Sequence, residues 1–409
     1  MHMVSLEPFV WPDRNELEDR GRRLQELLSP AGWDGALLLQ NADLLYFCGT
    51  TQAEAVFIPA EGEPLVLARP PFDRCRSETT LPKVAAMPRW PDLGKVLEDH
   101  AGRPLAALGL ELDVMAVNFF HRLAEAALNG LETPDVSPLV HRVRAIKSEY
   151  ELSQMRAAAR LLDAMFQAVP GLLARGLSEM ELEGRLIALA KAHGHQGLIR
   201  SRGFNMEMSL GHILSGPSGL VPAKVASPTG GTGINPGFGQ GAGPRLIGSN
   251  ELVSVDLCGA FGGYIVDQAR LFFTGPTPER VRTAYALLRD LIEEVKDFIR
   301  PGVLSGQVYD RTFAAAEKRG LLDHFMNLDG GPCPFVGHGV GLELDEWPAL
   351  ARGSDIPLAA GMTFALEPRV FLPEYGVVGL EDTYLLTENG PEYITLTSRE
   401  IRVVEREGA

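Results

Sequence analysis

VSVDLCGAFGGYIVDQARLF, residues Val253–Phe272, places two aspartates, Asp256 and Asp267, in apolar runs either side of Gly259, Gly262 and Gly263. The flanking runs are β-branched and aromatic, which favours strands, and the glycines supply the positive-φ positions of a tight turn. A hairpin folded about Phe261–Gly262 would set the two aspartates opposite each other, with Cβ atoms about 5 Å apart. Two carboxylates that close are costly unless a cation sits between them. Two strand-end aspartates capping a loop is the plainer alternative, and a metal reading needs more ligands.

The C-terminal third supplies them. Phe335–Glu346, FVGHGVGLELDE, embeds His338 among glycines that leave the imidazole open to close approach. FALEPRVF carries Glu367 and VVGLEDTYLL carries Glu381, each inside an apolar, strand-like run where an unpaired charge is expensive to bury. The intervening LPEYG is a turn signal, so this pair too can face across a hairpin. One imidazole and four carboxylates suit Mn²⁺, Fe²⁺, Co²⁺ or Zn²⁺. Four carboxylates exceed the need of one divalent ion, which points to two ions bridged by carboxylates. Such a site polarises a carbonyl and generates a nucleophile from water near neutral pH.

Length and composition bound the rest. A chain of 409 residues is long for one core, so two domains are expected. The formal net charge of −15 argues against a nucleic-acid partner. Cys48, Cys75, Cys258 and Cys333 are scattered and form no CxxC pair, as in a reduced cytoplasmic protein. MHMVSLEPFVWPDRNELEDRG has no apolar signal-peptide core, and no run is apolar enough to span a bilayer, so a cytoplasmic location without membrane partners is expected.

Residues 13–29 read as an amphipathic helix with Leu17, Leu24, Leu27 and Leu28 on one side. Short apolar runs at Gly35–Leu39, Ala55–Ile58 and Pro64–Leu67 alternate with helical stretches near 92–99 and 116–129, which describes an α/β domain over 1–135. Residues 136–150 form a proline-containing connector. Ser-x-x-Glu capping boxes at Ser148/Glu151 and Ser178/Glu181 open helices through about Leu173 and Ala192. Gly197–Gly248 is rich in Gly, Pro and Ser and reads as a long irregular stretch; helices return at 278–299 and 305–319, and strands and turns follow. The α+β catalytic domain is therefore placed at 151–409. His193 and His195 have a spacing that could bind metal, but a solvated helix end explains them as well.

The order and spacing of Asp256, Asp267, His338, Glu367 and Glu381 resemble the metallopeptidases of the pita-bread fold (family M24), which include methionine aminopeptidase, Xaa-Pro aminopeptidase, prolidase and the metal-free creatinase. GGYIVDQAR is similar to the family's GY-x-x-D-x-TR, GHGVGLELDE to its GHG-x-GL-x-x-HE, and ALEP to its x-x-EP. RAIKSEYEL is similar to the join between the two domains of creatinase and prolidase relatives. The resemblance implies an α/β creatinase/prolidase-like N-terminal domain, an α+β methionine-aminopeptidase-like pita-bread domain, and a homodimer. It also implies two divalent ions, foremost Mn²⁺, a metal-bridging hydroxide, and Glu367 as both ligand and proton carrier.

The periphery departs from the family pattern. A histidine usual seven residues after the ligand histidine is Asp345, and one usual about seventeen residues before the first aspartate falls at Gly239–Gln240. An arginine common two residues before the last glutamate is Gly379, and the threonine of DxTR is Ala269. IRSRGFNMEMSLGHILSG, Ile199–Gly216, offers replacements: Arg200 or Arg202 to clamp a substrate carboxylate, and His212 for a missing histidine. A solvated loop with a structural arginine is the alternative there. Asp345 could act as a base or support His338. The expected function is an Xaa-Pro dipeptidase- or aminopeptidase-like hydrolase of small peptides. The alternative is a non-peptidase metal enzyme of the same fold, a small-molecule C–N hydrolase or a lyase resembling the dimethylsulfoniopropionate lyases.

Overall fold

The computed structural model describes residues 9–405 apart from 129, 175 and 328–332. The chain divides into two compact units. Of the described residues, one takes in 9–144 together with Arg202–Phe204; the other comprises Ala145–Ser201 and 205–405. The division falls inside the stretch expected as a connector, which itself folds into a helix, Ser137–Ala145.

The N-terminal unit runs α1 (Arg14–Ala31), β1 (Gly35–Leu38), α2 (Asn41–Cys48), β2 (Ala55–Pro59), β3 (Leu65–Ala68), α3 (Phe72–Glu78), β4 (Val84–Ala86), α4 (Trp90–Ala101), β5 (Leu108–Leu110), α5 (Val117–Ala127) and α6 (Ser137–Ala145). Asp13 caps α1 by accepting from Glu16 N at 2.8 Å, and Leu17, Leu24 and Leu28 form its buried stripe. The strands lie in the order β4-β3-β2-β1-β5. Leu37, Phe57 and Leu67 from the sheet pack with Leu93, Leu97 and Leu123 from the helices.

The second unit opens with α7 (Glu149–Leu173) and α8 (Glu179–Ala192), each started by the capping box expected at Ser148 and Ser178. The stretch expected to be irregular holds a strand, β6 (Gly211–Ser215), which lies antiparallel to β7 (Leu252–Phe261). A two-residue turn joins β7 to β8 (Tyr264–Phe273). Gly259 lets α7 lie close on β7, since a Cβ there would come within 2.6 Å of Ala158 O. Next come α9 (Glu279–Phe298), α10 (Ser305–Lys318), β9 (Phe335–Gly339), β10 (Glu346–Ala351), β11 (Thr363–Leu366), β12 (Arg369–Leu372), β13 (Gly376–Gly379), β14 (Asp382–Thr387), β15 (Gly390–Tyr393) and β16 (Arg402–Val403).

These strands form sheets ordered β16-β8-β7-β6 and β10-β9-β11-β14-β15, plus the β12-β13 ribbon. A core of Phe273, Leu288, Leu291, Val308, Val336, Phe364 and Tyr384 unites α9, α10 and both sheets. A smaller cluster of Cys258, Ala260, Ile265, Val340, Leu344 and Ala365 lies beneath the carboxylates. No helix among the described residues is long and apolar enough to cross a membrane.

Candidate metal centre

The first hairpin turns at Gly262–Gly263, with φ of 59° and 92°. Both central residues therefore take the left-handed conformation that matches strand twist in a two-residue loop. The turn sits one residue later than a fold about Phe261–Gly262, so Asp256 faces Ala269 and Asp267 faces Cys258. The two aspartates are thus diagonal neighbours on one face and not directly opposed, which corrects the expected pairing and leaves more room between them.

Glu367 and Glu381 sit at a break in a second hairpin. The pairs Leu366↔Asp382 and Arg369↔Gly379 belong to one continuous register in which Glu367 meets Glu381. Pro368 has no N–H for the ladder. At the break Glu367 N bonds Val336 O at 3.0 Å instead, and Glu381 exchanges backbone bonds with Ala269 at 3.4 Å. Thr383 ties the same edge to β8: its Oγ1 accepts from Asp267 N and donates to Asp267 O, both at 2.8 Å. His338 on β9 stands beside Ala365 of β11. The five ligand candidates therefore come from three strand positions and the two sides of this break.

His338 Nδ1 donates to Leu344 O at 2.7 Å, which turns Nε2 inward, where a cation would take the place of its proton. Nε2 lies 3.5 Å from Glu367 Oε1, 3.9 Å from Asp267 Oδ2 and 3.9 Å from Glu381 Oε1. Donor atoms of Asp267, His338 and Glu381 fall within 4.8 Å of one another. Glu381 Oε1 is buried and has no hydrogen-bond partner among the described residues, an expensive arrangement unless a cation meets it.

Charge points the same way. Burial, then the Asp256 charge, lifts the Asp267 carboxyl to about 6. Burial lifts Glu367 to about 7 against the pull of His338 and Arg369, and raises Glu381 well above the usual range. Burial alone would lower His338, but Asp345, Glu367 and Asp267 bring it to about 9. Burial and mutual repulsion thus shift these carboxyls toward their protonated forms, and a divalent ion replaces protons on such a donor set. The residues fit a metal. Cys258 beside them is raised by burial and by Asp267, and stays a thiol.

His212, Asp345, Ser227 and Met208 line the cavity over these residues. His212 stands directly across from Asp256 in the β6–β7 pairing, and its Nδ1 lies 2.9 Å from Thr229 Oγ1. Among the described residues its Nε2 is buried without a full hydrogen bond, and burial lowers its pKa against the pull of Asp256 and the Gln240 side chain. Asp345 Oδ1 is 3.8 Å from His338 Nδ1, too far for a hydrogen bond. The supporting role considered for Asp345 thus falls to the Leu344 carbonyl.

Arg202, considered as a carboxylate clamp, is committed elsewhere. Its guanidinium donates to Asp113 Oδ2 at 2.6 Å, Asp113 Oδ1 at 3.0 Å and Asp43 Oδ2 at 2.8 Å, within the N-terminal unit. The arginine expected on a solvated or substrate-facing loop is instead the keystone of an ion cluster with Arg144. Arg200 is not among the cavity's lining residues; its backbone carbonyl accepts from Leu344 N at 2.8 Å. His195 is buried, with Nε2 3.3 Å from Cys258 O and Nδ1 accepting from Gly197 N, and His193 Nδ1 bonds Leu189 O. Neither joins the centre.

Sequence reasoning missed Arg369. Its Nη2 donates to Glu381 Oε2 at 2.6 Å and Asp256 Oδ2 at 2.9 Å and lies 3.6 Å from Glu367 Oε2. A signal was present: Arg369 follows Glu367 by two residues, and in extended chain such residues share a face.

A creatinase-like α/β unit followed by strands that converge four carboxylates and an imidazole defines a two-domain protein of the pita-bread class. The chain belongs to metallopeptidase family M24, whose description matches residues 153–388, while residues 20–146 match the creatinase/prolidase N-terminal domain. Membership implies divalent metal ions. The chain is similar to an Xaa-Pro dipeptidase of Pyrococcus furiosus, 23% identical over 387 residues, covering 94% of this chain and all of the relative. It is 25% identical over 385 residues to the probable dipeptidase PepE of Mycobacterium tuberculosis, covering 91% of this chain and 93% of the relative. Among solved structures it resembles the Xaa-Pro dipeptidase from Bacillus anthracis, with a TM-score of 0.79 at 22% identity, covering 95% of this chain and all of that one.

Proposed function

We propose that the chain is a metal-dependent hydrolase of small peptides of the Xaa-Pro dipeptidase or aminopeptidase type. The observation that carries this is the inward-facing His338 Nε2 and unpartnered Glu381 Oε1 among Asp256, Asp267 and Glu367, under a cavity that holds His212. The dipeptidase names of full-length relatives support the peptide substrate.

Asp256, Asp267, His338, Glu367 and Glu381 would hold two divalent ions, foremost Mn²⁺, which supply carbonyl polarisation and an activated water. Glu367 would hold a proton at its carboxylate between the attacking water and the leaving amine. His212, kept neutral by burial, presents Nε2 to the substrate carbonyl. Asp345, about a third exposed, stands at the cavity in place of the family's usual histidine and serves as an acid–base group. A homodimer in the cytoplasm accompanies this reading; all four cysteines are free.

One observation favours a second reading. Among the described residues, the cavity lining contains no lysine or arginine to meet a dipeptide's free carboxylate. A non-peptidase metal enzyme acting on a small cationic metabolite would suit that lining. The test is turnover of Xaa-Pro dipeptides and Xaa-Pro-Yaa tripeptides by Mn²⁺-reconstituted protein, read by mass spectrometry, with Glu367→Ala as blank. Cleavage absent from the blank supports the peptidase; no cleavage by metal-loaded protein supports the second reading.

A further inference from the structure

Arg369 is 0% exposed, yet two of its three guanidinium nitrogens, Nε and Nη1, have no hydrogen-bond partner among the described residues. A buried guanidinium normally spreads its donors over several acceptors. Here Nη2 alone makes the contacts, and both of its acceptors are carboxylates of the metal centre. The contacts divide the labour within Glu381: Oε2 takes the guanidinium, while Oε1 faces His338 Nε2 and is left without a partner. The arginine thus grips Glu381 from behind and leaves its inner oxygen to a cation.

The space that Arg369 occupies is provided by its cross-strand partner. Arg369 pairs with Gly379 in the β12–β13 ribbon. A Cβ on Gly379 would come within 2.8 Å of Arg369 Nε and 3.1 Å of Nη1, and closer still to Cδ. Any side chain at 379 would compete for the volume the guanidinium fills. Facing residues of a two-stranded ribbon start about 5 Å apart, so a long side chain from either member of the pair can reach the same carboxylates.

We propose that Arg369 is the positioning residue of this metal centre, its guanidinium held by the vacancy at Gly379 so that it fixes the outer oxygens of Asp256 and Glu381. The position of the guanidinium matters and the strand that delivers it does not. The inference rests on the reading of the carboxylates as metal ligands, and concerns how the site is held in shape rather than which substrate it takes.

The test is Mn²⁺ binding to the full-length protein by titration calorimetry, with folding checked by circular dichroism. Arg369→Met should weaken Mn²⁺ binding by about 10- to 100-fold, the range found when a partner of a ligand is removed. Arg369→Lys should recover part of the loss. The transposed double variant Arg369→Gly/Gly379→Arg should recover most of it. Wild-type or tighter affinity in a folded Arg369→Met protein would overturn the proposal, because the guanidinium would then compete with the cation. A folded double variant as weak as Arg369→Met would overturn the strand exchange. If the double variant does not fold, the Met and Lys pair decides the positioning role. Because binding is read without turnover, a wild type that binds Mn²⁺ but cleaves no Xaa-Pro peptide would count against the functional reading alone.

Discussion

His212 of β6 lies directly opposite Asp256 of β7, and Gly241 leaves the space for it, since a Cβ there would fall 3.1 Å from the ring's Cδ2. On the proposed reading, this ring takes the part of the family histidine whose usual place falls at Gly239–Gln240. Its Nε2 is a buried side-chain nitrogen of the cavity lining without a full hydrogen bond among the described residues, and the Gln240 side chain acts on the ring. His212→Asn should therefore lower kcat on the chain's substrate by about 10²-fold while bound metal per chain, counted by plasma mass spectrometry, stays at the wild-type value. Loss of metal would make His212 part of the cage instead.

Asp345 makes no hydrogen bond to His338, whose Nδ1 is satisfied by Leu344 O. Asp345→Asn should leave metal content unchanged and reduce turnover by about 10²-fold, as expected for an acid–base group. Parallel loss of metal and activity would return Asp345 to a supporting role.

The Arg202 cluster predicts an acid response. Burial would raise Asp113, but hydrogen bonds with His141, Arg202 and Ser137 hold it well below the usual carboxylate range. A depressed native pKa contributes stability that is complete above the unfolded value, about 3.9, and is lost as pH falls toward the native one. In thermal melts, Asp113→Asn should lower the Tm at pH 7, and the gap to wild type should begin to narrow only as pH falls below about 4. A gap that stays constant with pH would show that ionisation of Asp113 contributes nothing.

Arg202→Met tests the same cluster by a different route. Asp43 is fully buried and held low, against its burial, by Arg144 and Arg202. Removing one cation should destabilise by about 3 kcal/mol, the scale for breaking a buried ion pair. Urea unfolding would measure it, and a change under half that size would mean Arg144 suffices.

Gly259→Ala should cost about 1–3 kcal/mol through overpacking, because the new methyl meets Ala158 O at 2.6 Å and Leu162 Cβ at 2.8 Å. Unchanged urea stability would show that α7 can back away from β7.

The fold class and the helices opened by capping boxes were legible because their signals are local, and so were the candidate ligands as a pattern. Ser148 and Ser178 cap helices through residues three positions on, and each ligand sits in its own short motif. The hairpin register was not legible, because moving the turn by a single residue changes which residues face Asp256, and only the backbone of Gly262–Gly263 decides it. Helix α2 was missed because Ala42, Leu44, Tyr46, Phe47 and Cys48 are buried on all sides, which erases the amphipathic period. Strand β6 was hidden by brevity within a glycine-rich stretch. The fate of Arg202 depends on Asp43 and Asp113, roughly ninety and more residues away in sequence, which no local pattern encodes.

The central claim is that Asp256, Asp267, His338, Glu367 and Glu381 form one metal centre. Anomalous diffraction at the manganese edge from crystals grown with Mn²⁺ tests it most directly. Anomalous peaks enclosed by these five side chains, with Arg369 still on Asp256 and Glu381, are expected. A fully formed site with no peak at saturating Mn²⁺, or peaks only elsewhere on the protein, would contradict it.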